Sequence, residues 1–203
     1  MGTVAENKIA KRNKILDSAY QLFMANSYTA TAVDDVVKMA GIAKGTFYLY
    51  FKDKYDLLEQ IITYKSADLL KDAMSAVDKE VPDGTLKEKT IALSEYIIDF
   101  LSEHKDFTAL LDKRFAFCFK IFSSGVNPDF SSMINKFLNC FLESGYDENT
   151  AKKIIYLITD VIGSVCCDSI LGTGPYSMED IKPILINAIS NILEVNENGK
   201  QAC

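Results

Sequence analysis

Helix breakers are scarce in this chain, and their distribution limits the folds that it can adopt. All four prolines lie beyond residue 80, so the first 80 residues can form helices separated only by short polar or glycine turns. Hydrophobic residues make up 48% of the 203 positions, which is enough to bury a core. Apolar residues also recur at helical spacing along the chain. We therefore expect an all-α protein.

The periodicity and the turn signals together predict nine helices. They cover residues 6–26, 33–40, 43–51, 54–79, 85–104, 106–123, 128–144, 147–171 and 178–195. Thr31, followed by Asp34 three residues later, has the form of a capping box for the second helix. Gly41 supplies a tight turn between the second helix and the third. The clearest internal break is the Val-Pro-Asp-Gly sequence at 81–84.

The formal net charge of −6 argues at first sight against a nucleic-acid partner, but the charge is distributed unevenly. Residues 1–60 carry eight basic and seven acidic side chains, whereas residues 61–203 carry 14 and 21. The acidity therefore belongs to the larger C-terminal part and does not exclude DNA binding by the N-terminal part. Because that part is only weakly basic, contacts with DNA would have to come from individually placed residues.

Membrane, metal and cofactor signals are absent from the sequence. No run approaches 18 apolar residues, and the start of the chain lacks a long apolar core, so we expect neither a signal peptide nor a membrane partner. The five cysteines are irregularly spaced in apolar helical patterns, which fits reduced thiols in a cytoplasmic protein. We expect the adjacent Cys166 and Cys167 to be inert, and His104 to cap carbonyl groups at a helix end. We expect no metal site and no cofactor.

The second and third predicted helices carry the strongest functional signal. A helix of about eight residues, a glycine turn and a second helix of about nine form a helix-turn-helix arrangement. Phe47 and Phe51 are spaced to pack against the other helices, which leaves Tyr48 and Tyr50 able to point outward. Their phenol groups can bond phosphates, and Gly45 lets the helix backbone approach a groove closely.

The stretch from Thr29 to Leu58 resembles the TetR family of bacterial regulators. It contains a threonine-led helix, an Ala-Gly-Ile turn, a Lys-Gly-Thr sequence, a Phe-Tyr-Leu-Tyr-Phe close and the lysine and leucines that follow. The resemblance covers about residues 8–60. Ser27 stands where the family usually has glycine, and Ala32 and Ala43 stand where hydroxyl residues are common. The two alanines remove groups that could cap a helix or contact phosphate.

The resemblance implies a dimer whose two third helices enter successive major grooves of a palindromic DNA operator. It also implies a DNA-binding domain at residues 1–60 and an effector-binding and dimerisation domain at residues 61–203. The residues expected to contact DNA are Thr31, Lys44, Gly45, Thr46, Tyr48, Tyr50 and Lys54.

Aromatic residues are concentrated in the helices predicted between residues 85 and 144. Phe115, Phe117 and Phe119 alternate by two, so they cannot share one helix face. One interpretation is an ordinary phenylalanine-rich core. The other is an apolar pocket for a small hydrophobic effector, which the family resemblance favours. The candidate ligand-binding residues are Tyr96, Phe100, Phe115, Phe119, Phe122, Phe137 and Phe141.

The last two predicted helices are apolar over more than the single stripe of a surface helix. Small residues in the first of them permit close approach of another helix. We therefore expect this pair to pack against its copy around a two-fold axis and form a homodimer. The residues assigned to the dimer interface are Ile155, Ile158, Ile162, Gly163, Cys166, Ile184, Ala188 and Ile192.

Together these expectations describe a DNA-binding transcriptional regulator that is not an enzyme. The leading hypothesis is a ligand-responsive repressor, released from its operator when the effector favours a head separation that mismatches the DNA. The alternative is an effector-independent regulator whose C-terminal part binds a protein partner. A third possibility is an enzyme with an incidental helix-turn-helix, but the sequence contains no recognisable catalytic constellation.

Overall fold

The structure is a computed structural model that describes residues 4–111 and 128–198, with side chains defined at 6–111 and 131–194. Within these ranges the fold is all-α, as predicted, and contains no strand. The helices are α1 (Val4–Asn26), α2 (Val33–Ala40), α3 (Lys44–Phe47), α4 (Lys54–Glu80), α5 (Leu86–Glu103), α6 (Lys105–Leu111), α7 (Pro128–Glu143), α8 (Glu148–Ile170) and α9 (Met178–Asn198).

Most helix boundaries lie within three residues of the predicted ones. The exceptions are the third helix, which is shorter than predicted, and the helix predicted at 106–123. Only Lys105–Leu111 of that last helix is described, and the remainder of the prediction lies outside the described residues.

The third helix is a single turn. The sequence predicts a helix over residues 43–51, whereas α3 ends at Phe47 and a turn follows at 48–50. Directly after it, Asp53 prepares the start of α4, because its Oδ1 accepts hydrogen bonds from the amides of Tyr55 and Asp56, each at 2.8 Å. To form this cap, the backbone at Asp53 must be non-helical, so the preceding helix has to end before it. The spacing of the apolar residues gives no sign of this break.

Backbone contacts divide the chain into two compact units, Met1–Lys65 and Ser66–Cys203, with the division inside α4. The core of the N-terminal unit consists of side chains from its four helices and from the turn after α3. Its buried apolar residues include Ile15, Leu16, Ala19, Phe23, Val36, Val37, Ala40, Phe47, Phe51, Leu57, Leu58, Ile61 and Ile62.

The turn after α2 follows from the local sequence, as predicted. Gly41 adopts a left-handed conformation with a φ of 64°. Its amide donates to the carbonyl of Lys38 at 3.2 Å, and the amide of Ile42 donates to the carbonyl of Val37 at 3.0 Å. This pair of hydrogen bonds is a Schellman motif, in which glycine is the preferred residue.

The start of α2 differs from the prediction by one residue. Ala32, and not Thr31, precedes the helix, and the Asp35 carboxylate accepts the hydrogen bond from the Ala32 amide at 2.9 Å. Alanine has no side-chain acceptor, so the other half of a capping box is missing. The predicted partners Thr31 and Asp34 are therefore available for different contacts.

In the C-terminal unit, α8 is the central helix. It packs against α5, α6, α7 and α9. Its first turn is capped by Asp147, whose Oδ1 accepts from the amides of Asn149 and Thr150 at 3.1 and 3.0 Å. The hydroxyl of Tyr146 donates to the carbonyl of Leu193 at 3.1 Å and so ties the chain before α8 to α9. No helix in the described part of the chain is both long and apolar enough to cross a bilayer.

Candidate DNA-binding surface and apolar cavity

The segment formed by α3 and the following turn has a buried side and an open side. Phe47 and Phe51 are buried, with ring centroids 5.5 Å apart, as predicted. Lys44, Gly45 and Tyr48 are exposed. A Cβ atom at position 45 would have no neighbouring atom within 4 Å. The backbone at this point can therefore come close to another molecule.

The outer side chains of this segment differ in exposure. Tyr48 is 53% exposed, and its ring packs edge-on against Phe47 with the centroids 5.2 Å apart. Thr46 and Tyr50 are only partly exposed.

Leu49 was missed from the sequence, although it is 78% exposed. Its position, two residues from both buried phenylalanines, would have placed it on the outer side of the segment. An exposed apolar side chain at such a place suits contact with a thymine methyl group.

An ion pair connects α3 with α2. Lys44 Nζ lies 2.7 Å from Asp34 Oδ1, and both side chains are largely exposed. The hydrogen bond to Asp34, together with the negative charge of that carboxylate, raises the pKa of Lys44. Lys44 is therefore fully protonated at neutral pH.

The Thr31 hydroxyl, for which a DNA contact was predicted, is bonded within the chain. The residue is only 2% exposed, and its hydroxyl lies 2.9 Å from the carbonyl oxygen of Ser27 and 3.3 Å from that of Leu22. It therefore closes the turn between α1 and α2. Ser27 has a φ of 69° in this turn, a left-handed conformation that explains the preference for glycine at this position in the resembled family.

The ammonium group of Lys54, for which a phosphate contact was predicted, is also bonded within the chain. Its ammonium group donates to the carbonyl oxygens of Tyr28 and Thr31 at 2.9 and 3.0 Å and lies 4.3 Å from the centroid of the Tyr28 ring. Two of its three donors are thereby used. The contacts tie the start of α4 to the turn between α1 and α2.

The C-terminal unit contains an apolar cavity of about 70 Å³ among α4, α5, α7 and α8. Its wall is formed by Leu70, Thr90, Leu93, Ser94, Ile97, Ile134, Phe137, Ile155, Ile158, Thr159 and Ile162. The wall is thus mainly aliphatic and not aromatic, and Phe137 is the predicted ligand-binding residue found in it. Tyr96, Phe100 and Phe141 are not part of this wall, and Phe115, Phe119 and Phe122 lie outside the described residues.

Two of the predicted ligand-binding residues have other surroundings. Phe141 is fully buried, with its ring centroid 5.3 Å from that of Phe137 and 5.5 Å from that of Tyr146, so it belongs to an aromatic core. Phe100 stacks on His104 with the centroids 4.0 Å apart. The Nδ1 atom of His104 lies 2.8 Å from the carbonyl oxygen of Phe100, which confirms the predicted role at a helix end.

Three hydroxyl groups supply the polarity of the cavity wall. Thr90, Ser94 and Thr159 each donate to the carbonyl four residues earlier in their own helix, at 2.7 Å in every case. A hydroxyl has one proton, so each of these groups has only acceptor capacity left. None of the described residues that form the wall is charged. The cavity therefore suits an uncharged molecule that offers C–H surface or a hydrogen-bond donor.

Part of the predicted dimer interface is buried inside the chain's own bundle. The residues concerned are Ile155, Ile158, Ile162, Gly163 and Cys166, all on α8. Their burial follows from the central position of α8, whose most regular apolar stripe packs against helices of the same chain. Burial also raises the pKa of Cys166 to about 12, which keeps the thiol protonated and unreactive.

The predicted interface residues on α9 are accessible. Ile184 is 64% exposed, Ala188 is exposed and Ile192 is partly exposed. On α8 the residues assigned to the interface did not include Tyr156 and Leu157, which are the exposed large hydrophobic residues of that helix. An apolar outer surface therefore exists on both helices, but on α8 it consists of residues other than the predicted ones.

The geometry of the N-terminal unit is that of a helix-turn-helix. It has a short helix, a glycine turn and a second element with lysine, glycine and tyrosine on its open side. Residues 15–61 match the family described as bacterial regulatory proteins, tetR family. Over these residues the chain is therefore similar to the TetR family of bacterial regulators.

Among its relatives is the uncharacterized helix-turn-helix transcriptional regulator YerO of Bacillus subtilis, 33% identical over 104 residues, which are 50% of this chain and 35% of that protein. The fatty acid metabolism regulator protein of the same organism is 29% identical over 100 residues, covering 49% of this chain and 50% of that protein. This chain thus spans about a third to a half of the length of these curated relatives.

A solved structure of a TetR transcriptional regulator from Rhodococcus sp. RHA1 has a similar fold. Its TM-score is 0.59, with 92% of this chain and 97% of that chain covered at 18% identity. At that identity the likeness shows the shared fold alone.

Replacing Lys54 with methionine is expected to lower the free energy of unfolding by about 2 kcal/mol, because two carbonyl groups lose a charged donor. Urea denaturation measures this change. Lys52, exposed in the turn before α4, is the matched control, and Lys52→Met should change stability by less than about 0.5 kcal/mol. Equal stability of the two variants would show that the Lys54 contacts do not support the fold.

Proposed function

We propose that this protein is a ligand-responsive transcriptional repressor that binds a palindromic DNA operator as a homodimer and is released by a small hydrophobic effector. The observation that carries the proposal is the open side of α3 and its turn, which presents lysine, glycine, tyrosine and leucine while both phenylalanines are buried. The match of residues 15–61 to the family of bacterial regulatory proteins named tetR supports it.

The proposed DNA contacts are Lys44, Gly45 and Tyr48, with Leu49 as an addition. The ammonium group and the phenol hydroxyl suit phosphate oxygens, whereas Leu49 suits the methyl group of thymine. Thr46 and Tyr50 are partly exposed at the edge of the same surface and complete the set. Thr31 and Lys54 act only indirectly, because they hold the turn that precedes α2.

A Gly45→Ala variant separates DNA contact from folding. The added methyl group meets no atom of the protein, and alanine favours helix over glycine, so the unfolding midpoint should stay equal or rise slightly. Affinity for the DNA upstream of the protein's own gene should fall about tenfold or more, which corresponds to about 1.4 kcal/mol, because the methyl group holds the backbone away from the groove. Fluorescence anisotropy at fixed salt measures this loss.

A scrambled duplex of the same length is the control for that titration. Wild-type protein that binds the upstream DNA no more tightly than the scrambled duplex would overturn the proposed function. Equal affinities of wild type and Gly45→Ala would instead show that α3 does not contact the DNA closely at this position.

The homodimer is proposed to form through the outer surfaces of α8 and α9. These helices pack against each other within the chain. Tyr156 and Leu157 on α8, together with Ile184 and Ala188 on α9, supply apolar area for a two-fold contact. Exposure of so much apolar surface on adjacent helices supports a partner of the same kind.

The variant Ile184→Glu is expected to shift the dimer towards the monomer at micromolar concentration, because a carboxylate would be desolvated in the interface. The fold should be unaffected, since Ile184 is mostly exposed in the single chain. Leu142→Glu is the matched control, because Leu142 is an exposed apolar residue of α7, and this variant should remain dimeric. Sedimentation velocity distinguishes the species, and a monomeric wild type would refute the proposed dimer.

The effector is proposed to be small, uncharged and mainly aliphatic. The cavity has about half the volume of a 150 Å³ cavity that holds benzene, so it admits a short alkyl group or the end of a longer chain. One relative is named as a regulator of fatty acid metabolism, which is consistent with a compound that carries an alkyl chain. A carboxylate inside the cavity would find neither a cation nor a free hydroxyl proton.

This proposal predicts that 1-propanol, which is short enough to enter the cavity completely, binds and that propionate of the same chain length binds about tenfold more weakly or not at all at pH 7. Isoleucine methyl resonances report binding, because five isoleucines line the cavity. The variant Ile97→Phe fills the cavity and should remove the response to 1-propanol. Equal binding of propionate would contradict an uncharged effector, and binding without loss of DNA affinity would favour an effector-independent regulator.

A further inference from the structure

The first turn of α2 contains two carboxylates with different contacts. The Asp35 carboxylate accepts a hydrogen bond from the amide of Ala32 and so serves the helix start. The Asp34 carboxylate takes no part in that cap. Its Oδ1 lies 2.7 Å from Lys44 Nζ, on the element that bears the proposed DNA contacts. An acidic residue is thus placed next to a cation that the proposed function assigns to DNA phosphate.

A single carboxylate matters here because the N-terminal part of the chain has little excess positive charge. Residues 1–60 contain eight basic and seven acidic side chains, so the removal of one carboxylate doubles the formal excess. Sequence-independent binding to DNA depends almost entirely on neutralising phosphates with such cations. Whether Lys44 is already paired with a carboxylate before DNA binds therefore affects the sequence-independent affinity directly.

We propose that Asp34 is an intramolecular competitor of DNA phosphate for Lys44 and thereby restrains sequence-independent DNA binding. The inference rests on the proposed DNA-binding function. Carboxylate and phosphate oxygens both accept charge-assisted hydrogen bonds from an ammonium group. A phosphate that engages Lys44 must displace Asp34 or share the ammonium with it, and a displaced carboxylate close to the DNA backbone is repelled. An exposed ion pair is weak, so it lowers affinity without preventing binding.

The competition should be visible in the salt dependence of binding. The logarithm of the affinity falls with the logarithm of the salt concentration, with a slope of about −0.9 for each phosphate neutralised. In the wild type, the phosphate contact of Lys44 releases a counterion from DNA, but the freed carboxylate takes up a cation, so the net contribution is small. In a variant without Asp34, no carboxylate takes up a cation, so the Lys44 contact makes its full contribution to the salt dependence. The slope then becomes more negative by about 0.9 per protomer.

A double-mutant cycle tests this mechanism with a random-sequence duplex as the probe. Wild type, Asp34→Asn, Lys44→Gln and the double variant are titrated by fluorescence anisotropy between about 50 and 200 mM KCl, the range over which such slopes are resolved. Asp34→Asn should raise the affinity at the middle of this range by about fivefold and steepen the slope. Lys44→Gln alone should change the slope little, and in the double variant it should cancel the gain.

The control is Asp83→Asn, which makes the same charge change at an exposed position in the turn before α5. It should leave both affinity and slope close to the wild-type values. The inference would be overturned if Asp83→Asn raised the affinity as much as Asp34→Asn does. It would also be overturned if the gain from Asp34→Asn persisted in the Lys44→Gln background. In either case Asp34 would act only through net charge. If Asp34→Asn lowers the unfolding midpoint, Asp34→Ser, which suits a helix start, replaces it in the cycle.

The outcomes also separate the inference from the proposed function. If wild type and Asp34→Asn bind DNA equally, with equal slopes, the competition is refuted while DNA binding stands. If none of the four proteins binds any duplex at about 50 mM KCl, the proposed function is refuted together with the inference.

Discussion

Burial of Phe47 and Phe51 is the interaction on which the DNA-facing surface depends. The helix α3 has a single turn, and a helix of that length has little stability of its own. Its orientation is therefore set by the two phenylalanine rings, and full burial of such a side chain contributes about 1.5–3 kcal/mol. With the inner side fixed at residues 47 and 51, the residues between them cannot all point inward, and Tyr48 and Leu49 are exposed.

The sequence predicted those parts of the fold that depend on neighbouring residues. The bounds of α2, the turn at Gly41 and the burial of the two phenylalanines all follow from spacing within a few positions. The roles of Thr31 and Lys54 did not follow, because their partners are backbone carbonyl groups, which have no sequence signature. The Lys54 ammonium group bonds carbonyls 23 and 26 residues away in the chain, and only the folded backbone brings them together.

The errors in the C-terminal unit have a related cause. Periodicity shows that a helix face is buried, but not what covers it, so the apolar stripe of α8 was assigned to a second copy although helices of the same chain cover it. In the same way, the number of aromatic residues allowed either a phenylalanine-rich core or an apolar pocket, and the candidate pocket residues were all chosen from the aromatic ones. The cavity is lined mainly by isoleucines and by hydroxyl groups, and Phe141 belongs to the core beside it.

Both proposed recognition surfaces contain polar groups that already have partners within the chain. Lys44 is paired with Asp34, and the hydroxyl protons of Thr90, Ser94 and Thr159 are bonded to carbonyl groups of their own helices. Because these groups are satisfied before a ligand arrives, the free protein carries no unmatched donors at these places, which would otherwise cost about 1–3 kcal/mol each when buried. A ligand that binds one of these groups gains only the difference in free energy between its own contact and the internal contact that it replaces. On this basis DNA must supply more than a phosphate charge, and an effector must supply more than a hydrogen-bond acceptor.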